Sequence, residues 1–331
     1  MSARTAGVAL LMAALLTGLG WSGEGWAEAT VARVGILSGF GGSQTNERFM
    51  EWSEPFRRRL ADEGWIEGKS ISFEYRGAVI GGSQVDEAAA ELARLKVDVI
   101  WATDAPAVRA AYTATRTIPI VAADATTDPV AEGYVQSYTR PGGNLTGVFL
   151  DAPEFAGKWL QFLKAIIPKL SRATVLWDPS PGPTHLHALQ RAARSFGVQL
   201  QVVEVREPDD IDRAFSAFRG KPQALIILPS PMMYVQSERL AKLTMRHRLP
   251  ATSMFRLFAE AGGVIAYGHE MASMTERCAV LVAKILGGAK PADIPVERPS
   301  AFQLVVNLKA AKALGLTVPE SVLYRADEVI R

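Results

Sequence analysis

The order of elements predicted for residues 31–150 recurs over residues 173–267, although the two stretches do not repeat each other residue for residue. In the first, short β-branched apolar runs at 31–37, 70–75, 97–102, 118–122 and 145–150 alternate with helical patterns at 85–95 and after Pro106. In the second, strands are predicted at 173–177, 198–205, 224–228, 249–253 and 264–267, with helices between them. Small details correspond. Ile118-Pro119 and Leu249-Pro250 both open the fourth strand, and Gly142-Gly143 and Gly262-Gly263 both precede the fifth. Parallel strands need crossover connections, and these are right-handed. Two consecutive β-α-β-α-β runs therefore predict two doubly wound parallel-sheet lobes, each covered by helices on both faces.

Each copy continues into an amphipathic helix, 154–167 and 271–286, whose apolar residues recur every three or four positions and mark core-facing stripes. One more strand, 301–307, is left over after the second copy, and the segment 318–331 closes the chain. The leftover strand implies a third passage between lobes, so the expected fold is α/β with a three-strand hinge. The expected division is residues 30–148 plus 268–292 for the first lobe and 149–267 plus 293–331 for the second. Pro55 is expected to kink or delay the first helix, and a helix is expected over 130–138.

In open sheets of this kind, ligands bind just beyond the carboxyl ends of the strands. Polar residues crowd there. Thr103 and Asp104 follow the third strand, and Asp124, Thr126, Thr127 and Asp128 follow the fourth. Thr103 and the helix after it are placed to hold an anionic group such as a carboxylate, although Asp104 also reads as an ordinary helix cap. Asp124 and Asp128 can receive an ammonium, with capping the plainer role for Asp128 before Pro129. Ser38, Phe40 and Gly41 follow the first strand and are expected at the rim. In the second lobe Asp178, Ser180, Ser230, Tyr234, Phe255 and Arg256 follow strand ends and are expected to face across. Phe40, Tyr234 and Phe255 would sandwich an apolar or aromatic body, with core packing the plainer alternative for each.

Residues 1–29 are expected to lie outside the fold. Arg4 precedes the apolar run 6–20, which is too short to span a bilayer, and Ala27-Glu28-Ala29 is a small-x-small pattern fitting cleavage before Thr30. This predicts export of the mature protein to the periplasm, with an uncleaved anchor as the alternative. No cysteine near the cleavage site offers a lipid attachment point. The chain has 1 cysteine, Cys278, set in an apolar helical pattern that predicts a buried small residue. The net charge of +2, without a long basic run, gives no sign of nucleic-acid binding.

The chain resembles ABC transporter substrate-binding proteins of the type I periplasmic-binding class whose characterised relatives handle tryptophan and related amino acids. The resemblance rests on Glu63-Gly64-Trp65-Ile66-Glu67-Gly68-Lys69, on Leu92-Ala93-Arg94-Leu95-Lys96-Val97-Asp98-Val99-Ile100 and on Asp128-Pro129-Val130. It continues through Arg140-Pro141-Gly142-Gly143-Asn144-Leu145-Thr146-Gly147, Ala266-Tyr267-Gly268, Lys284-Ile285-Leu286-Gly287-Gly288-Ala289-Lys290-Pro291 and Asn307-Leu308-Lys309-Ala310-Ala311-Lys312-Ala313-Leu314-Gly315. It implies an exported, monomeric receptor that hands a small molecule to an ABC permease and its ATPase. The ligand class implied is an amino acid or similar carboxylate. The cleft turns depart from the family's common versions at 39–44, 124–127 and 229–233.

Enzyme patterns are weak. Gly39-x-Gly41 follows a strand, but position 44 is Gln, and neither a nucleophile elbow nor a phosphate loop is present. His185 and His187 are two apart, the wrong spacing for one helix face, and His269-Glu270 lacks a second histidine for zinc. No cofactor and no metal are expected. A ligand-sensing subunit of a signalling system and a two-lobed enzyme remain as alternatives to the transport receptor.

Overall fold

The computed structural model describes residues 31–39, 47–77, 84–150, 153–218, 222–299 and 301–331. The expected leader, Phe40 and Gly41 lie outside these residues. The first sheet is built from β1 (Ala32–Ser38), β2 (Ile71–Gly77), β3 (Val99–Ala102), β4 (Ile120–Asp124) and β5 (Leu145–Phe149). Its order is β2-β1-β3-β4-β5, with every pair parallel. Successive side chains point to opposite faces, and the sequence supplies apolar groups to both. Val34, Ile36, Val99, Trp101, Val121 and Ala123 pack on one face, whereas Leu37, Ile100, Ala102, Ile120 and Ala122 pack on the other.

Helices α2 (Gln84–Leu95) and α3 (Ala105–Ala114) cover the second of these faces. The first is covered by α1 (Glu47–Asp62) together with the late helix α10 (Met271–Leu286), which packs along it. Trp101 is sandwiched there between Trp52 and Phe56, with ring centroids at 5.3 and 3.7 Å and planes within 7° of parallel. Helix α1 starts two turns before Pro55 and runs on through it, contrary to the expected late start. The carbonyl that Pro55 leaves without a donor belongs to the exposed Glu51, where water can meet it.

The second sheet follows α4 (Pro153–Ile166) and comprises β6 (Arg172–Trp177), β7 (Gln199–Glu204), β8 (Ala224–Ile227), β9 (Ala251–Ser253) and β10 (Ile265–His269). Its connections are α5 (Thr184–Phe196), α6 (Asp210–Ala217), the broken pair α7 (Pro231–Val235) and α8 (Ser237–Arg246), and α9 (Arg256–Glu260). The order β7-β6-β8-β9-β10 repeats that of the first sheet. Beyond it, β11 (Phe302–Asn307) joins β10 antiparallel and β12 (Glu328–Ile330) joins β11 parallel, with α11 (Leu308–Ala313) and α12 (Glu320–Leu323) between them. The leftover strand thus extends the second sheet.

Three passages of chain connect the lobes: after β5, between β10 and α10, and before β11. They lie side by side. The amide of Phe149 donates to the carbonyl of Glu297 at 2.9 Å, and that of Glu270 donates to Ala301 at 3.1 Å. Gly147 is required beside this junction, because a Cβ there would sit 2.2 Å from the carbonyl oxygen of Ala122.

Residues 130–138 form turns rather than the expected helix. Asp128 and Pro129 start a helical turn, but Gly133 adopts φ 73° and ends it. Cys278 is fully buried, its thiol 3.6 Å from the Ala122 carbonyl. No helix among the described residues is long and apolar enough to cross a membrane.

Candidate functional site

A cavity lies between the carboxyl ends of the two sheets, lined by residues of both lobes, the place where open α/β sheets bind small molecules. Three walls enclose it. The first lobe contributes Thr103 and Asp104 after β3, Asp124 and Thr126 after β4, and Trp52 from α1. The second contributes Ser230 after β8, Tyr234 from α7, and Met254 and Phe255 after β9. The inter-lobe passage supplies His269 at the end of β10, with Met271, Met274 and Thr275 of α10.

The first wall is rich in carboxyl groups that are already held. Asp104 caps α3, its Oδ1 accepting from the Ala107 amide at 2.9 Å, and its Oδ2 accepts from the Gly39 amide at 2.7 Å and the Thr103 hydroxyl at 3.2 Å. The approach of Gly39 is so close that a Cβ there would lie 2.7 Å from Oδ1. Asp124 is fully buried; its Oδ1 accepts from the amide and hydroxyl of Thr126, both at 2.7 Å, and its Oδ2 accepts from the Thr127 hydroxyl. Burial pushes Asp104 up to about 6, against the opposing hydrogen bonds from Ala107, Gly39 and Thr103. Burial raises Asp124 in the same direction, against its threonine donors. The start of α3 therefore presents carboxyl oxygens to the cavity rather than an open row of N–H groups.

The second wall is aromatic. Tyr234 and Phe255 meet edge to face with centroids 5.2 Å apart, an arrangement that aromatic quadrupoles favour. Tyr234 packs against the cores of both lobes. Ser230 caps α7 by accepting from the Met233 amide at 3.1 Å.

Of the residues singled out in the sequence, Thr103, Asp104, Asp124, Thr126, Ser230, Tyr234 and Phe255 come together here. Others are placed elsewhere. Ser38 is buried at the end of β1 and does not line the cavity. Asp128 caps the turn at Val130, its Oδ1 2.9 Å from that amide. Asp178 accepts from the Ser180 amide at 2.9 Å, and the Ser180 carbonyl accepts from Arg109 of the first lobe at 3.4 Å. Arg256 does not line this cavity but lines the pocket adjoining it, beside Phe255, Tyr234, Trp52 and His269, its guanidinium paired with Glu260 at 2.6 Å and Glu328 at 2.8 Å. An Asx turn ties Asp178 to its own loop, and two carboxylates already hold the Arg256 guanidinium.

Trp52, Met254, Met271, Met274 and His269 were not predicted. In the sequence Trp52 and the methionines are indistinguishable from core residues, and His269 was weighed only as part of a zinc pattern. Neither ring nitrogen of His269 has a hydrogen-bond partner among the described residues, and such an orphaned buried group costs about 1–3 kcal/mol. Burial pushes its imidazole down to about 4. His185, stacked on Trp159 at 5.9 Å, lies close enough to feel His269 and falls to about 3, again mainly through burial. No group of three or more metal-ligating side chains occurs among the described residues.

Two lobes with doubly wound parallel sheets and a cavity between their strand ends define the periplasmic-binding-protein class. Residues 50–330 match the family described as ABC transporter substrate binding protein, and the chain belongs to that family. It is 24% identical over 265 residues to a tyrosine-binding protein of Clostridioides difficile (strain R20291), covering 79% of this chain and 75% of that one. Among solved structures, an ABC domain in complex with L-Trp from Streptococcus pneumoniae is 24% identical, with a TM-score of 0.80 over 90% of this chain and 99% of that one. A ligand-free, open substrate binding protein with adhesive properties from Clostridium difficile is 23% identical, with a TM-score of 0.62 over 91% and 99%.

Proposed function

We propose that this chain is the exported solute receptor of an ABC importer, closing its lobes over an aromatic amino acid and delivering it unchanged to a membrane permease. The observation that carries this reading is the composition of the cavity walls: carboxyl and threonine groups on one, aromatic rings on the other. The ammonium of an amino acid belongs at the Asp104 and Asp124 wall, because two carboxyl groups there repel a second anion. The sequence favoured a ligand carboxylate beside Thr103; Asp104's occupation of the start of α3 reverses that preference. The Ser230 hydroxyl, whose oxygen accepts from Met233, still has its proton to donate to the ligand carboxylate across the gap. The ring would lie against Tyr234, Phe255 and Trp52.

The tyrosine-binding relative and the L-Trp complex support the ligand class. The apolar run and the small-x-small site near residue 29 support export. We further propose that the receptor acts as a monomer with lobes divided as the sequence predicts.

The test uses protein from Thr30 onward. Denaturation followed by mass spectrometry identifies any ligand carried through purification, and calorimetry measures tyrosine, tryptophan and phenylalanine against alanine. Aromatic amino acids are expected to bind and to be recovered intact. Binding of none of them, or recovery of a chemically altered ligand, overturns the reading.

A further inference from the structure

His269 is 5% exposed, belongs to the cavity lining, and has both ring nitrogens buried and without a partner among the described residues. Buried polar groups are hydrogen-bonded as a rule, and an exception needs a cause. Its surroundings make the exception sharper. Met254, Phe255, Met271, Met274 and Trp52 share this part of the lining, and the hydroxyl of nearby Thr275 is engaged with the Ala272 carbonyl at 2.9 Å. Tyr234 of the same lining, His185 behind it and the polar side chains of the adjoining pocket all leave both ring nitrogens without a hydrogen bond.

The carboxyl groups of Asp104 and Asp124 stand on a different wall, contributed by the turns after β3 and β4. An amino acid whose ammonium is held there sends its side chain toward the methionines and His269. A purely hydrocarbon ring would leave the imidazole unsatisfied on closure. With the ring nitrogens neutral, as burial dictates, the imidazole offers one donor and one acceptor. A phenol hydroxyl matches both, and an indole N–H matches the acceptor.

We infer that His269 is a specificity-determining residue, hydrogen-bonding an O–H or N–H on the ligand's aromatic ring so that phenol- and indole-bearing amino acids are taken in preference to phenylalanine. This rests on the function proposed above and deepens it. Sites with a buried group built to hydrogen-bond a ligand reject the analogue that lacks the partner.

Calorimetry with tyrosine and phenylalanine tests it in the wild type, His269→Leu and His269→Gln, each first shown to unfold cooperatively. The wild type is expected to prefer tyrosine by about tenfold or more, following the cost of an unpaired buried group. In His269→Leu the preference should shrink to about twofold through weaker tyrosine and unchanged or tighter phenylalanine binding, while His269→Gln retains part of it. Equal binding of the two amino acids by the wild type, or an undiminished preference in His269→Leu, overturns the inference. If His269→Leu fails to fold, O-methyltyrosine and 1-methyltryptophan replace it as probes. Wild-type protein should bind each more weakly than its parent amino acid, and equal binding overturns the inference. Failure of every aromatic amino acid to bind the wild type overturns the ligand class itself, a result distinct from loss of discrimination.

Discussion

Asp104 and Ser230 occupy the same place in the two lobes. Each follows the third strand of its sheet, each has extended backbone (φ −164°, ψ 167° and φ −158°, ψ 165°), and each side chain accepts from an amide three residues on. Each is followed within two residues by a proline in the first turn, Pro106 or Pro231. Proline suits that position because its missing N–H would have had no partner in the helix. The two caps differ in charge, and that difference gives the cavity a carboxyl wall and a neutral wall.

Replacing these caps tests both stability and binding. Ser230→Ala should lower stability by about 1 kcal/mol, read as a shifted urea midpoint with an unchanged slope. Asp104→Asn keeps an oxygen for the Ala107 amide but sets an NH2 against the Gly39 amide, so it should cost some stability, and by removing the charge it should also weaken amino-acid binding about tenfold, the effect of losing roughly 1.4 kcal/mol. Unchanged affinity in Asp104→Asn would remove this carboxyl group from ligand recognition.

Arg109 and Ser180 meet across the gap between lobes, guanidinium to carbonyl at 3.4 Å. The contact is exposed, and exposed charged contacts contribute about 0.2–1 kcal/mol. Arg109→Ala should therefore leave the melting temperature nearly unchanged while ligand release quickens up to about fivefold. Stopped-flow displacement checks this. A release rate identical to wild type counts against a closing role.

The buried histidines and carboxyl groups respond to acid with opposite signs. His185 and His269 sit near 3 and 4, below the ordinary 6.5, because burial disfavours their charged forms. The unfolded chain takes up their protons first, so the stability they confer is complete above about pH 6.5 and is lost as pH falls toward 4. Asp104, near 6 instead of 3.8, works the other way: its contribution grows as pH drops from about 6 to 4, and Asp124 acts in the same sense. His269→Gln should flatten the acid side of the stability curve by up to about 1.4 kcal/mol per pH unit. Superimposable melting-temperature profiles for variant and wild type between pH 4 and 7 would contradict this.

Much of the fold was legible because β-branched runs such as Val99–Ala102 and Ile120–Asp124 have few alternatives to a doubly covered sheet. The unexpected features arise from local competition. Pro55 sits within a helix fixed by packing on both α10 and the first sheet, so tertiary contacts override its propensity. Gly133 ends a helix that the pattern over 130–138 would otherwise continue. Gln236 separates α7 from α8 in the connection between β8 and β9, where the apolar pattern alone gives no break. Within the site, strand ends gave the right turns, but not which side chain of each turn faces inward. Phe255 lines the cavity itself, whereas its chain neighbour Arg256 lines only the pocket adjoining it. Asp124 read as a ligand group alone, whereas its threonine donors make it the brace of its own turn.

The three inter-lobe passages are tied to one another at Phe149–Glu297 and Glu270–Ala301 along one edge of the molecule. A door hung on one jamb can swing but cannot slide, so such a joint leaves rotation as the easy movement. Cargo of different bulk would then bring the two halves to rest at different angles without disturbing the jamb. Under the receptor function proposed above, a membrane partner gripping both halves would gauge the size of the cargo from the span between its handholds, without ever touching it.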